Sequence, residues 1–339
     1  MNRANKPTLE DVAKLAKVST ATISRSINEP DKVAGATRER IQSAISQLAY
    51  TPNFGAKILA SNKSNTVGAI IPTMANAMFA SGLHAFQQAL ANHGVLLLVA
   101  SSGYNPEDEF EQIQTLLSHG ADGLLLIGTE RPNATHEFLE MRKIPYIISW
   151  CYQADSDKLY AGFDNKQSAY EIAKAVLDIG HRRIGMLAGV SQGNDRATNR
   201  IKGVTQAIDD FGNDAQLSNI VETAYTLEDG AQAFDKLMRG ANIPTAVICG
   251  NDVIAAGALN RAKEIGLKVP ADISITGFDD INLATAVDPQ LTTVRVPQEQ
   301  MGRAAARLLL DFVSSRKQPS SVQFETEVVM RDSLGPPNR

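Results

Sequence analysis

The sequence predicts an all-α helix-turn-helix head joined to an α/β core made of two doubly wound parallel-sheet subdomains. Three observations carry that expectation. Residues 8 to 49 hold short amphipathic helices and no strand-like run; from Thr66 onward short apolar runs alternate with amphipathic helices; and that alternation occurs twice, over stretches of similar length. At 339 residues, with 43% hydrophobic and 21% charged residues, the chain is long enough for two or three domains with substantial cores.

In the head, Thr8 is placed to accept from the amides of a first helical turn, with Asp11 three residues on to reciprocate and Pro7 just outside. Leu9, Val12, Ala13 and Ala16 then share one face. The chain turns through Lys17-Val18-Ser19, and Ser19 caps a second helix whose inward positions are Ile23 and Ile27. Thr20, Ala21, Thr22, Ser24 and Arg25 remain free to face outward. A helix with such a short, polar face fits a DNA major groove, where hydroxyls and methyls reach base edges and an arginine reaches guanine or phosphate. An ordinary bundle could contain the same corner. A third helix is expected from about Thr37 to Ala49, with Ile41, Ala44, Ile45 and Leu48 apolar.

Charge supports the nucleic-acid reading. Residues 1 to 63 carry ten Lys/Arg against five Asp/Glu, while the remainder carries 23 against 32. The overall net charge of −4 therefore averages a basic head and an acidic body. Phosphate neutralisation by the head would make affinity fall steeply with salt.

Leu9-Glu10-Asp11-Val12-Ala13, Val18-Ser19, Thr22-Ile23-Ser24-Arg25, Asn28, Thr37-Arg38-Glu39, Tyr50-Thr51-Pro52-Asn53 and Leu59-Ala60 closely resemble the lactose-repressor/galactose-repressor (LacI/GalR) family of bacterial transcription regulators. The resemblance implies double-stranded palindromic operator DNA as partner, contacted by Thr8, Ser19, Thr20, Ala21, Thr22, Ser24, Arg25 and Asn28 of the head and by Asn53, Lys57, Leu59 and Ala60 of the linker. In that family the linker becomes helical on the operator and wedges a leucine into a minor-groove base step, a role that falls here to Leu59. Pro52 suits the first turn of such a helix, but Gly55 and the short length leave it marginal alone. Gly55 departs from the family pattern, as does Lys17, at a corner where glycine or asparagine is easier.

The core reads as strands Val67 to Ile71, Val95 to Ala100, Leu124 to Ile127 and Tyr146 to Ser149, with helices near Phe79 to Asn92, Pro106 to Ser118 and His136 to Arg142 between them. A second set begins at Tyr160: helix Gln167 to Leu177, strand Ile184 to Leu187, helix Asn199 to Phe211, strand Ile220 to Thr223, helix Glu228 to Met238, strand Ala246 to Cys249, helix Ile254 to Ile265 and strand Ile273 to Thr276. The remainder, Val294, helix Gln298 to Val313 and Phe324 to Met330, is too short for a separate domain and must return to the earlier sheets.

Gly185, Gly203, Asn251-Asp252, Gly257-Ala258-Leu259, Gly277-Phe278-Asp279-Asp280, Pro289, Leu291-Thr292-Thr293-Val294 and Met301-Gly302 extend the resemblance across this region. It implies a core of periplasmic-binding-protein type, with a small effector between two subdomains joined by crossovers near Gly162, Thr292 and Ser321. The expected organisation is a head over 1–50, a hinge over 51–64 and a core over 65–339. Within the core, one subdomain takes about 65–161 plus 293–321 and the other about 162–292 plus 322–339.

Ligands of such sheets sit at the carboxyl ends of the strands. Those ends offer Met74, Asn76 and Phe79, then Tyr104, Trp150, Asp164, Arg200, Asn251 and Asp279. Carboxylates, an arginine and an asparagine beside aromatic rings suit a sugar, and the arginine would also suit a sugar acid. The resemblance points to the same place, since Arg200, Asn251 and Asp279 match positions that contact effector in the family. The expected effector site is Asn76, Phe79, Tyr104, Trp150, Asp164, Arg200, Asn251 and Asp279.

Competing chemistries find little support. Gly189-Val190-Ser191-Gln192-Gly193 satisfies GxSxG after a strand, yet no histidine follows His181, and a hydrolase of that fold needs its histidine after the serine. The five scattered histidines and the two distant cysteines, Cys151 and Cys249, form no metal pattern and read as free thiols and isolated imidazoles. No cofactor fingerprint is present. Without an apolar run of signal-peptide or membrane-span length, a cytoplasmic protein with no membrane partner is expected.

The function expected is a non-enzymatic, sequence-specific DNA-binding regulator, a repressor, acting as a homodimer because one head makes too few base contacts for specific binding. The tail Arg331 to Arg339 has no leucine heptads, so no tetramer-forming helix is expected. Effector would shift the angle between subdomains, and a coupling of about 1 to 3 kcal/mol would change operator affinity about five- to 150-fold. A sugar receptor without gene regulation is the alternative.

Overall fold

A computed structural model describes residues 7–51, 64–75, 77–212, 214–240 and 242–338, and the chain divides into two compact units, Met1–Ser64 and Asn65–Arg339.

In the first unit the local signals act as read. Thr8 accepts from the Asp11 amide while the Asp11 carboxylate accepts from the Thr8 amide at 2.9 Å, a capping box that starts α1 (Leu9–Ala16). The Ser19 hydroxyl accepts from the Thr22 amide at 3.1 Å and starts α2 (Thr20–Asn28). Between them Lys17 takes a left-handed conformation, φ 55° and ψ 48°, because the corner requires it. After a short 3₁₀ turn at Pro30–Lys32, α3 (Gly35–Gln47) closes the unit. Its core is Val12, Ala13, Ala16, Ile23, Ile41 and Ala44.

The second unit holds two sheets of matching topology. In one, β1 (Thr66–Ile71), β2 (Leu96–Ser101), β3 (Gly123–Ile127), β4 (Tyr146–Ser149), β5 (Tyr160–Gly162) and β11 (Val322–Gln323) run parallel in the order β2-β1-β3-β4-β5-β11. In the other, β6 (Arg183–Gly189), β7 (Gln216–Thr223), β8 (Ala246–Cys249) and β9 (Ser274–Thr276) run parallel in the order β7-β6-β8-β9. Bridges Thr276–Thr292 and Asp279–Arg295 extend it to β10 (Thr293–Arg295), which pairs antiparallel with β12 (Glu327–Val329). The order reverses at β1/β3 in one lobe and at β6/β8 in the other, so each lobe opens its crevice beyond the carboxyl ends of those strands.

The helices are α4 (Ala80–Ala91), α5 (Pro106–Ser118), α6 (Asn133–Met141), α7 (Asn165–Asp178), α8 (Asp195–Phe211), α9 (Leu227–Met238), α10 (Asp252–Glu264), the short α11 (Leu283–Ala286) and α12 (Gln298–Ser315). α12 returns to the first lobe and packs on α4, while α7 packs on α8. Both crossings depend on backbone meeting backbone. A Cβ on Gly302 would lie 2.1 Å from the Gly82 carbonyl oxygen, and one on Gly203 would lie 2.1 Å from that of Lys166. The chain passes between lobes three times: after Gly162, after Arg295 and after Gln323. The last two lie slightly later than expected, because Thr293–Arg295 still pairs with β12 and Val322–Gln323 still pairs with β5. For the same reason Phe324 to Met330 is not one strand; only Glu327–Val329 of it pairs.

Two substitutions should move stability in opposite directions. Lys17→Gly relieves a left-handed residue and should stabilise the head by about 1 kcal/mol. Gly302→Ala forces α12 off α4 and should destabilise the core by about 1–3 kcal/mol. Calorimetric unfolding of the full chain, with separate head and core transitions, checks both.

Candidate functional site

The core site is organised by Arg200 on α8, which is 3% exposed. Its Nε donates to Asn165 Oδ1 at 2.9 Å and its Nη1 donates to the Gly250 carbonyl at 2.6 Å, while the guanidinium lies 3.7 Å over the Phe278 ring. Asn165 in turn donates from Nδ2 to the Trp150 carbonyl at 2.9 Å, so Arg200 ties the end of β4 to the ends of the second lobe's strands. Asp279 Oδ1 lies 3.5 Å from Arg200 Nη2, close enough for ion pairing but without hydrogen-bond geometry.

Around this centre stand buried polar atoms with unmet bonding capacity. Among the described residues, Trp150 Nε1, Arg200 Nη2, Asn251 Nδ2, Thr276 Oγ1 and both carboxylate oxygens of Asp279 are buried without a hydrogen-bond partner. Such atoms cost free energy unless something binds them, so their concentration on the expected effector residues is informative. Asn251 uses its Oδ1 to cap α10, accepting from the Ile254 amide at 2.8 Å, which leaves its Nδ2 available. Trp150 packs edge-on against Phe79, ring centroids 5.4 Å apart.

Three of the expected residues also carry unusual backbone: Tyr104, Trp150 and Asp279 have φ of 64°, 60° and 108°. Left-handed residues other than glycine are uncommon, and they recur where a strand end must present a side chain to a site. Asp252 supports the loop bearing Asp279. Its carboxylate accepts from Thr293 Oγ1 at 2.6 Å and from the Ile281 amide at 2.8 Å, and its own amide donates to the Phe278 carbonyl at 2.9 Å. Burial pushes the Asp279 carboxyl up to about 7 against the pull of Arg200 and Arg196, and burial together with the neighbouring Asp279 charge pushes Asp252 up to about 8.

Asp164 is not drawn into this cluster. It is exposed, and its carboxylate caps α7 by accepting from the Lys166 and Gln167 amides. The cap geometry turns the next residue, Asn165, inward instead, a displacement of one position that the sequence did not mark. Also unmarked were Arg196, Tyr225 and the lobe-bridging pair Asp195 and Thr129. Asp195 Oδ2 accepts from the Thr129 amide at 3.0 Å and its hydroxyl at 2.9 Å, while Oδ1 accepts from Arg196 Nη1 at 2.9 Å. Tyr104 stacks on Tyr225 with centroids 5.8 Å apart, and Asn194 Nδ2 donates to the Tyr225 hydroxyl at 2.8 Å. In the GxSxG stretch, the Ser191 hydroxyl and amide both donate to the Glu222 carboxylate, at 2.7 and 2.9 Å.

In the head, Ser19, Thr20, Ala21, Ser24 and Arg25 are exposed along one side of α2, and Thr22 is half-buried with its hydroxyl 2.8 Å from that of Ser19. Thr8 is exposed in its cap. Asn53, Lys57, Leu59, Ala60 and Asn76 lie outside the described residues, as does the side chain of Asn28. Among the described residues no helix is long and apolar enough to cross a membrane, no cluster of His, Cys, Asp and Glu could hold a metal ion, and Cys151 and Cys249 are buried free thiols.

A family model described as bacterial regulatory proteins, lacI family, matches residues 8–53, and one described as periplasmic binding protein-like domain matches residues 173–334. Over 329 residues the chain is 34% identical to the HTH-type transcriptional repressor CytR of Escherichia coli K12, covering 96% of each protein. The chain belongs to the LacI family. Among solved structures, a LacI-family transcriptional regulator from Silicibacter pomeroyi superposes with a TM-score of 0.88 at 27% identity, covering 97% of this chain and 99% of that one. The complex of the transcriptional regulator CelR with cellobiose superposes with a TM-score of 0.71 at 29% identity, covering 96% of this chain and 99% of that one. Membership of the LacI family makes the chain a DNA-binding transcription regulator with an effector-binding core, and decides against a sugar receptor without gene regulation.

The raised Asp279 pKa has a sign that can be checked. An aspartate titrates near 3.9 when unfolded, so a folded value of about 7 adds stability below the unfolded value and loses it as pH rises through that interval. Asp279→Asn, which cannot ionise, should therefore raise the melting temperature relative to wild type by more at pH 8 than at pH 5. Thermal unfolding of the effector-free protein at the two pH values tests this.

Proposed function

We propose that the chain represses transcription in the cytoplasm as a homodimer on a palindromic operator, and that a small polyhydroxylated effector held between the lobes of the core controls its affinity for that operator. The observation that carries the reading is the coexistence, in one chain, of an exposed polar face on α2 and a buried cluster of unpartnered polar atoms at the strand ends of the core. The first is a surface built to read base edges. The second is a surface built to be completed by a ligand.

In this reading Ser19, Thr20, Ala21, Thr22, Ser24, Arg25 and Asn28 face the major groove, with Thr8 at the backbone. Asn53, Lys57, Leu59 and Ala60 serve the minor groove, Leu59 as the wedge. Phe79, Trp150, Arg200, Asn251 and Asp279 hold the effector, with Asn76 and Tyr104 at its edge, and Asp164 acts through the helix that presents Asn165. The CelR–cellobiose complex supports a sugar-like ligand, and the name of the CytR relative supports repression. The chain is read as non-catalytic, because the Ser191 hydroxyl is engaged by Glu222 and no histidine follows it in sequence.

Effector acts by population shift: it binds one arrangement of the lobes better than the other, and the hinge segments on the two protomers form or melt accordingly. Gel retardation of promoter fragments from around the protein's own gene provides the test. Arg25→Ala should weaken specific retardation by about 1–3 kcal/mol, and Leu59→Ala should weaken it while leaving effector affinity intact. Retardation by Arg25→Ala equal to wild type over a range of salt would defeat the head assignment.

A further inference from the structure

The unpartnered atoms of the cleft are unevenly divided between donors and acceptors. Trp150 Nε1, Arg200 Nη2 and Asn251 Nδ2 are donors, whereas the charged acceptor facing them is Asp279 alone. A second guanidinium enters the same interior: Arg196 precedes Arg200 by one helical turn on α8 and is only 5% exposed. The carboxylate beside it is already committed, because Asp195 accepts from Arg196 Nη1, from the Thr129 amide and from the Thr129 hydroxyl. Arg200 is left with Asp279 at 3.5 Å.

We propose that the effector is an organic acid, a polyhydroxylated carboxylate whose oxygens accept from Arg200 Nη2 and Asn251 Nδ2, with Arg196 making the pocket select for its charge. This rests on the cleft being the effector site. A neutral polyol would leave two buried guanidiniums facing one firmly ionised carboxylate, Asp195, and buried charge is stable only when matched. A carboxylate matches it, and its planar pair of oxygens suits the guanidinium and amide edges.

Asp279 then works as a donor rather than an acceptor. It is surrounded by Arg196 and Arg200 from α8, by Asp252 from α10 and by Tyr104 from the first lobe; neighbouring Asp280 is engaged by Arg295 and Arg331. With its carboxyl raised toward neutrality by burial, binding of an anion beside it favours the protonated form. Acid binding therefore takes up a proton and weakens as pH rises above neutrality. A neutral polyol donating hydroxyls to ionised Asp279 would show the opposite sign, releasing a proton and tightening with pH.

Isothermal titration calorimetry of the full chain with D-glucuronate, D-galacturonate and D-gluconate, each against neutral D-glucose or D-galactose, tests the proposal. The expected result is an acid that binds at least tenfold tighter than its neutral counterpart, with affinity falling between pH 7 and 8.5 and proton uptake visible as a dependence of the heat on buffer. Asp279→Asn, nearly isosteric, should tighten acid binding severalfold at pH 8.5, and Arg196→Gln should weaken acid binding about tenfold while sparing the neutral sugar. A neutral sugar that binds as tightly as the acid, and is lost in Asp279→Asn, overturns the acid proposal but leaves the cleft in place. An acid whose affinity is unchanged in both Asn251→Ala and a folded Arg200→Gln variant overturns the cleft reading itself.

Discussion

One guanidinium fixes the geometry of the core. Arg200 donates to Asn165 and to the Gly250 carbonyl and lies against Phe278, so three loops from different strands converge on a single planar group. Such a group cannot be buried cheaply. Burial lowers the pKa of Arg200 and Asp279 counters it, which ties the protonation of the acid to the state of the base. The position of Trp150, the exposure of Asn251 Nδ2 to the cleft and the support that Asp252 gives the Asp279 loop all follow from keeping that group charged inside a dry interior.

Much of this architecture was legible in the chain, for identifiable reasons. Tyr146–Ser149, Ala246–Cys249 and Pro106–Ser118 have the ends the sequence marks, because proline, glycine or a capping residue stands at each boundary. Helix starts at Asp195 and Asp252 were harder to see, since their first turns are polar and the apolar period begins later. The edge strand Gln216–Thr223 was partly hidden by Ser218 and Asn219, whose exposure breaks the apolar run.

The candidate site divides in the same way. Arg200, Asn251 and Asp279 could be named because each follows a strand or begins a helix at a carboxyl edge. Asn165, Arg196 and Tyr225 could not, because their roles depend on which side of a helix or which lobe faces the cleft. Asp164 shows the limit most clearly: a carboxylate at a strand end is equally suited to cap the next helix, and the two free amides there take it. The head posed no such difficulty, since its caps, its turn and its buried face all lie within a few residues of one another.

The exchange of terminal strands between the two lobes has a mechanical consequence. Three strands of backbone, after Gly162, Arg295 and Gln323, leave one lobe for the other, and each is anchored by sheet pairing at its root. A joint of this kind behaves like a strap hinge with three leaves: it yields to bending about one axis and resists twist and sideways slip. Whatever rearrangement a bound molecule imposes is thereby confined to a single coordinate, so a small displacement inside the cleft reaches the far end of each lobe as a predictable swing.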